Sequence, residues 1–242
     1  MPEVTAGFWL IKILATTLGE TAGDAATMTL GLGYLLGSIG FVAVLLAAVA
    51  LQMRASRFHP ALYWTTIVAS TTAGTTLADF ATRSVGIGYA GGALLLLVLL
   101  VAALAVWRAA MGAISVETVH EPKAETFYWI TITLSQTLGT ALGDWLADDG
   151  GFGYLGGAAM FGAALCVLAI LYRTTAISRT SLFWLAFILT RPLGATVGDF
   201  LDKPADHGGL DVSRPLASVL LAAVIVTLVA VLPQRAGRRL AG

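Results

Sequence analysis

Four times along the chain an aromatic residue and a Trp are followed, at one fixed interval, by a small-residue step and an aspartate. The copies run from Phe8-Trp9 to Asp24, Tyr63-Trp64 to Asp79, Tyr128-Trp129 to Asp144, and Phe183-Trp184 to Asp199. Each Asp lies fifteen residues after its Trp. Successive Trp positions differ by 55, 65 and 55 residues, while Trp9 to Trp129 and Trp64 to Trp184 both differ by 120. That spacing reads as a two-helix unit duplicated twice, so four like units must occupy like environments.

The medium for those units follows from composition. With 57% hydrophobic residues, 12% charged residues and a mean hydropathy of +0.85, the chain exceeds the apolar content of a soluble domain. Uncharged runs at Ala25–Met53, Ser84–Trp107, Gly150–Tyr172 and Pro215–Pro233 each have room for a membrane span of about 20 residues. The motif stretches, roughly 8–28, 62–82, 127–147 and 182–202, supply four more spans that are apolar, mostly Thr-rich and charged inside. The expected fold is an all-α membrane protein of eight transmembrane helices. It forms one transmembrane domain over 1–242, with repeats at approximately 8–53, 62–108, 127–172 and 182–233. Each unit crosses twice, so all four enter from one side as parallel repeats with pseudo-symmetry about the membrane normal.

Lys and Arg outside the spans divide nine to three. Arg54, Arg57, Arg108, Lys123, Arg173, Arg179, Arg235, Arg238 and Arg239 lie on one side, with Arg83, Lys203 and Arg214 on the other. The positive-inside rule then predicts that both termini are cytoplasmic. The start, Met1-Pro-Glu-Val, lacks a basic region, and Lys12, Glu20 and Asp24 interrupt the first apolar stretch, which argues against a cleaved signal peptide. A formal net charge of zero suggests no nucleic acid partner, and the single Cys166 excludes an internal disulfide. The longest cytoplasmic connection, about Ala109 to Glu125 with Glu117, Glu121 and Pro122, separates the two halves.

Four tandem two-span units, each with an aromatic-Trp pair and a Gly-x-x-x-Gly-Asp-like step, resemble the bacterial integral membrane family built from four copies of a repeat of unknown function. That likeness implies the bacterial inner membrane. Glu20-Thr-Ala-Gly-Asp24 also resembles the acidic Glu-x-Gly-Asp signature of a family of calcium and manganese cation/proton exchangers. Here the acids are one residue further apart, and no basic-hydroxyl pair follows the Asp.

Residues four apart share a helix face, so each motif reads in layers. Eight residues before the Asp stand Thr16, Thr71, Gln136 and Arg191; four before it stand Glu20, Thr75, Thr140 and Ala195; then come Asp24, Asp79, Asp144 and Asp199. A charge at membrane depth costs about 2.5 to 3.5 kcal/mol on insertion scales, so such residues should face a partner or a path. With the stripes inward, five acids would converge against only Lys12 and Arg191, and a bound cation or retained protons would supply the missing positive charge.

Other features have structural readings. Trp9, Trp64, Trp129 and Trp184 suit belt or packing roles, and Gly19/Gly23, Gly74/Ala78, Gly139/Gly143 and Gly194/Gly198 are small-residue steps for close helix approach. Pro192 inside a span predicts a kink. His59, His120 and His207 fall in predicted loops, and Asp148, Asp149 and Asp202 make an acidic outer rim.

These patterns predict a cation transporter with no cofactor, possible proton coupling, and no enzymatic activity, since no His-Glu-x-x-His motif or Gly-x-Ser-x-Gly elbow occurs. The four Asp residues and Glu20 would bind cation or proton; Thr16, Thr71, Gln136, Thr75 and Thr140 would supply neutral ligands; Arg191 would set the local electrostatics. Oxygen donors favour Mn²⁺, Mg²⁺ or Ca²⁺ over Cu or Zn, with manganese export foremost. Two alternatives remain open. One is an organic-cation transporter using Phe80, Trp145 and Phe200 as aromatic faces; the other is a membrane scaffold whose charges specify helix pairing.

Overall fold

A computed structural model describes residues 2–55, 57–114 and 122–236. Glu117, His120, Glu121, Arg238 and Arg239 lie outside the described residues. Eight α-helices follow in order: α1 (Ala6–Asp24), α2 (Gly33–Arg54), α3 (Pro60–Asp79), α4 (Gly88–Met111), α5 (Pro122–Asp144), α6 (Gly153–Thr174), α7 (Arg179–Asp202) and α8 (Arg214–Val231). The ends of the described chain meet, because the Glu3 amide donates to the Arg235 carbonyl at 2.9 Å.

Local chemistry sets the helix boundaries. The Thr5 hydroxyl accepts from the Phe8 amide at the start of α1, Ser178 does the same for Ser181 at the start of α7, and α3 opens with Pro60 in its first turn. Threonine is tolerated inside the odd helices because its hydroxyl bonds back to its own helix. Thr66 donates to the Leu62 carbonyl at 2.8 Å and Thr133 to Trp129 at 2.9 Å.

Burial sorts the helices into two shells. The odd helices are buried along most of their length, whereas α6 buries only Gly157 and the other even helices few residues each. In the inner shell α1 touches α3 and α7, and α5 touches α3 and α7, which closes a ring of four. Each even helix packs on the odd helix of the following repeat: α2 on α3, α4 on α5, α6 on α7, and α8 back on α1. The repeat motif is therefore a ring motif, and every unit is completed by its neighbour.

Glycine permits the ring to close this tightly. A methyl group on Gly19 would overlap Thr71, one on Gly74 would lie 2.9 Å from the Gln136 backbone, one on Gly139 would overlap Arg191, and one on Gly194 would overlap Thr16. Each first glycine of the small-residue step thus receives the residue eight before the Asp of the next helix around the ring.

Five of the helices, α2, α4, α6, α7 and α8, are long and apolar enough to cross a membrane. The other three, α1, α3 and α5, carry the Thr-rich polar stripes inward. Exposed Leu35, Leu36, Leu97, Val167, Leu220 and Val226 give the even helices an apolar outer face, and Cys166 is exposed on α6. Such a surface belongs to a membrane protein.

In the first three repeats the α-helix gives way to a five-residue π-helical segment immediately after the Asp, at Ala25–Thr29, Phe80–Ser84 and Trp145–Asp149. Each is followed by a Gly-x-Gly-Tyr turn, in which Gly31 and Gly33, Gly86 and Gly88, and Gly151 and Gly153 all adopt positive φ. The fourth repeat departs from this pattern. There α7 runs on to Asp202, and a longer connection with a 3-10 turn at Ala205–His207 leads into α8. Pro192 lies within α7 without ending it.

Candidate functional site

The ring axis is layered as the register predicts, and each layer has its own chemistry. At the N-terminal end of the odd helices the aromatic pairs form a packed plug. Phe8, Tyr63, Trp64, Tyr128, Trp129 and Trp184 are buried in one cluster, and the Tyr63 and Tyr128 hydroxyls lie 3.2 Å apart. The Trp residues therefore pack in the protein interior. Four residues further along stand Lys12, Ile67, Ile132 and Phe187, all fully buried.

Next come Thr16, Thr71, Gln136 and Arg191, also fully buried. The Thr16 hydroxyl donates to the Thr190 carbonyl at 3.0 Å and that of Thr71 to Ala15 at 3.1 Å, so both bond neighbouring backbones across the ring. Arg191 extends toward the following layer. Its Nη2 meets Glu20 Oε2 at 2.8 Å and also donates to the Thr75 and Thr140 hydroxyls. Three helices thereby grip one guanidinium nitrogen from the fourth.

The four repeat aspartates follow, each no more than 3% exposed. They do not stand as a bare acidic cluster. Lys203 Nζ lies 2.7 Å from Asp24 and 2.8 Å from Asp199; Arg83 lies 2.9 Å from Asp79 and 3.8 Å from Asp144. Arg214 reaches Asp24 at 3.7 Å and Asp202 at 3.4 Å. Arg83 and Lys203 occupy the same register, four residues after Asp79 and Asp199, where the other repeats carry Met28 and Asp148.

This arrangement corrects the charge count expected from sequence. Arg83, Lys203 and Arg214 are site residues: one further turn of the polar stripe folds Arg83 and Lys203 back over the acids, and Arg214 reaches them from the start of α8. Extending the i, i+4 series by one step exposes Arg83 and Lys203; assigning all three to outer connections conceals them. Asp202 likewise is buried, at 6% exposure, and paired, in contrast to the solvated rim expected for it. Asp148 and Asp149 are exposed, as are His59 and His207. Trp145 is 41% exposed on the outer surface, away from the aspartate ring.

Within the ring, Glu20, Asp24 and Asp199 each offer one carboxylate oxygen, and these three atoms lie within 4.8 Å of one another. Such a buried trio of hard oxygens suits a cation. Thr75 adds a hydroxyl 3.3 Å from Glu20 Oε2. Access is from the aspartate end. The side chains of Arg83, Arg214 and Lys203 there are 33%, 24% and 12% exposed, while Arg191 beneath them is fully buried.

Neither a curated protein nor a solved structure matches the chain. The family described as Repeat of Unknown Function (DUF347) matches at residues 7–58, 62–112, 127–177 and 182–234, so that each match takes in one odd helix, its Asp and the even helix after it. With nearly the whole chain accounted for by these four copies, the protein belongs to the DUF347 repeat family.

Proposed function

We propose that the protein is an eight-span transporter of a cation in the bacterial inner membrane, with both termini in the cytoplasm. The observation that carries this reading is the position of Lys203. Its ammonium bridges Asp24 and Asp199, two members of the Glu20–Asp24–Asp199 oxygen trio. The site thus holds a cation belonging to the protein itself, tethered at the C-cap of α7 beside the irregular connection of the fourth repeat. A substrate cation that reaches the trio displaces the ammonium and takes its carboxylates. Exchange costs less than filling a bare acidic pocket, since the carboxylates remain compensated throughout.

The donor set is carboxylate and hydroxyl oxygen, which favours a hard divalent ion of the Mn²⁺, Mg²⁺ or Ca²⁺ class over Cu or Zn. Manganese-like export, with proton exchange, is the first activity to test. Passage between the trio and the aromatic end requires Arg191 to leave Glu20, Thr75 and Thr140 and the Tyr63–Tyr128 layer to part, so these two barriers are the inner gate. With an even number of crossings and the nine-to-three basic bias, the aspartate end faces the periplasm.

A second reading is favoured by the same ion pairs. Asp24, Asp79, Asp144, Asp199 and Glu20 all have a basic side chain within 4.0 Å, which is what a static scaffold with charge-specified helix pairing requires. Purified protein in proteoliposomes separates the two. Uptake of Mn²⁺, Mg²⁺, Ca²⁺, Zn²⁺ and an organic cation is measured with and without a pH gradient. Saturable flux of a hard divalent ion supports transport; flux of none supports the scaffold, and flux of the organic cation alone supports that substrate instead.

A further inference from the structure

We infer that the layer beneath the carboxylates binds a small monovalent inorganic anion of the halide type, held by Lys12 and Arg191 with Gln136 in the same ring. The charge count at this depth points to it. Lys12 and Arg191 are both fully buried, each within the electrostatic reach of the other, and Glu20 is the acid paired with either. With Lys12 protonated, one positive charge is left over at this level. Lys12 Nζ lies 4.2 Å over the Phe187 ring, which offers the ammonium a π-face but accepts no ordinary hydrogen bond.

The donors point the same way. Among the described residues, Lys12 Nζ, Arg191 Nε, Arg191 Nη1 and Gln136 Nε2 are buried donors without a hydrogen-bond partner, and the acceptor Gln136 Oε1 is unpaired beside them. Arg191 makes the asymmetry plain. A guanidinium carries five N–H donors in a fixed planar fork. Here Nη2 makes all the bonds to Glu20, Thr75 and Thr140, while the other two nitrogens make none. Buried donors left unmade are costly, more so when charged, and an anion is the ligand that satisfies ammonium, guanidinium and amide N–H together.

Size and valence follow from the surroundings. At this level the four helices are in contact through Gly19, Gly74, Gly139 and Gly194, so an ion held there must be small. A single negative charge balances Lys12 and Arg191 against Glu20. The axis is then dipolar, with oxygens for a cation on the aspartate side of Arg191 and N–H donors for an anion on the aromatic side. This assignment does not require cation transport, because it rests on Lys12, Gln136 and the two Arg191 nitrogens that Glu20 does not engage.

The experiment uses the full-length protein in detergent. Thermal unfolding is followed as sodium chloride or sodium bromide replaces sodium gluconate at constant ionic strength, and bromide-soaked crystals are examined by anomalous scattering. The expected result is a melting temperature that rises by several degrees and saturates with halide, as binding to the folded state alone requires, together with an anomalous peak between Lys12 and Arg191. Lys12→Met should abolish the saturable rise, and Lys203→Met, which alters only the carboxylate layer, should retain it. If Lys12→Met does not fold, the bromide peak in the wild-type protein decides. Identical melting in halide and gluconate with no bromide peak at this layer would mean that water alone solvates the donors, and would overturn the assignment.

Discussion

Lys203 Nζ lies 2.7 Å from Asp24, a residue 179 positions earlier in the chain. The pair joins the last repeat to the first. Tandem repeats arranged in a circle have one seam that no covalent connection crosses, here between α7 and α1. At that seam stand the Lys203–Asp24 pair, the Arg191–Glu20 pair and the Thr16–Thr190 hydrogen bond. Of the charges that break the fourfold pattern, Glu20, Arg191 and Lys203 thus stand where the ring must be closed noncovalently, while Arg83 joins α3 to α5.

Lys203→Met removes the positive charge from Asp24, Asp199 and Asp202 together. Asp24 and Asp202 keep Arg214 while Asp199 loses its basic partner, which should cost about 3 kcal/mol, near the low end for a broken buried pair because the Lys203 side chain is partly exposed. If the trio is a cation site, Mn²⁺ or Ca²⁺ should restore the melting temperature of this variant while changing the wild type little. The check is thermal unfolding with and without each ion. A variant that melts early and ignores every divalent ion would count against a substrate site at Glu20–Asp24–Asp199.

Packing through the ring seams makes a contrasting prediction about glycine. On Gly139 a methyl group would collide with Arg191 and lie 3.0 Å from Pro192 Cδ, whereas on Gly162 of α6 it would meet nothing within 4 Å. Gly139→Ala should therefore destabilise by about 1 to 3 kcal/mol through overpacking. Gly162→Ala should be neutral or stabilise by up to about 1 kcal/mol, since alanine loses less backbone freedom in a helix. Unfolding of both variants in one detergent measures the difference; equal stabilities would mean that the α5–α7 contact is looser than described.

The meeting of the two chain ends, through the Glu3–Arg235 hydrogen bond, predicts that N- and C-terminal reporters behave alike. Combined with the basic bias, a reporter that works only in the periplasm should be silent when fused either before Met1 or after Gly242. Activity from both would invert the assigned orientation, and activity from one alone would contradict an even number of crossings.

Much of this geometry was legible in the sequence because a helix repeats its face every few residues. The fifteen-residue interval put Trp and Asp at fixed depths, and the i, i+4 stripe named the layers from Thr16 to Asp199, though not the layer of Lys12, Ile67, Ile132 and Phe187 before them. What the stripe could not show is how far it continues once the helix loses its regular hydrogen bonding. Arg83 is reached through the π-helical segment after Asp79. Lys203 is reached by α7 running past Asp199. Nor does one chain's periodicity reveal which neighbour a side chain bonds, so Thr16 and Thr71 read as path-lining residues although their hydroxyls bond backbones across the ring. The Gly-x-Gly-Tyr turns at Tyr34, Tyr89 and Tyr154 recur in the sequence but lie outside the Trp-to-Asp register from which the layers are read. Their positive-φ glycines are the local reason that three repeats share one turn and the fourth does not.

Glu20 and Arg191 decide between a working site and a static one, because both readings use the pair in opposite ways. Glu20 Oε2 accepts from Arg191 at 2.8 Å in full burial, so Glu20→Gln leaves a buried guanidinium without its carboxylate and should cost about 3 to 5 kcal/mol. Thr75→Ala removes one neutral hydroxyl from the same guanidinium and should cost about 1 kcal/mol. Arg191→Met alone leaves Glu20 bare; combined with Glu20→Gln, it removes both charges, and the double variant should recover most of the lost stability. Measuring unfolding and cation flux for all four variants then separates the roles. If the double variant is stable yet moves no cation, the pair is part of the transport path, with Glu20 as ligand and Arg191 as gate. If it is stable and transports as well as wild type, the pair serves helix assembly, and the ion path must be sought away from the ring axis.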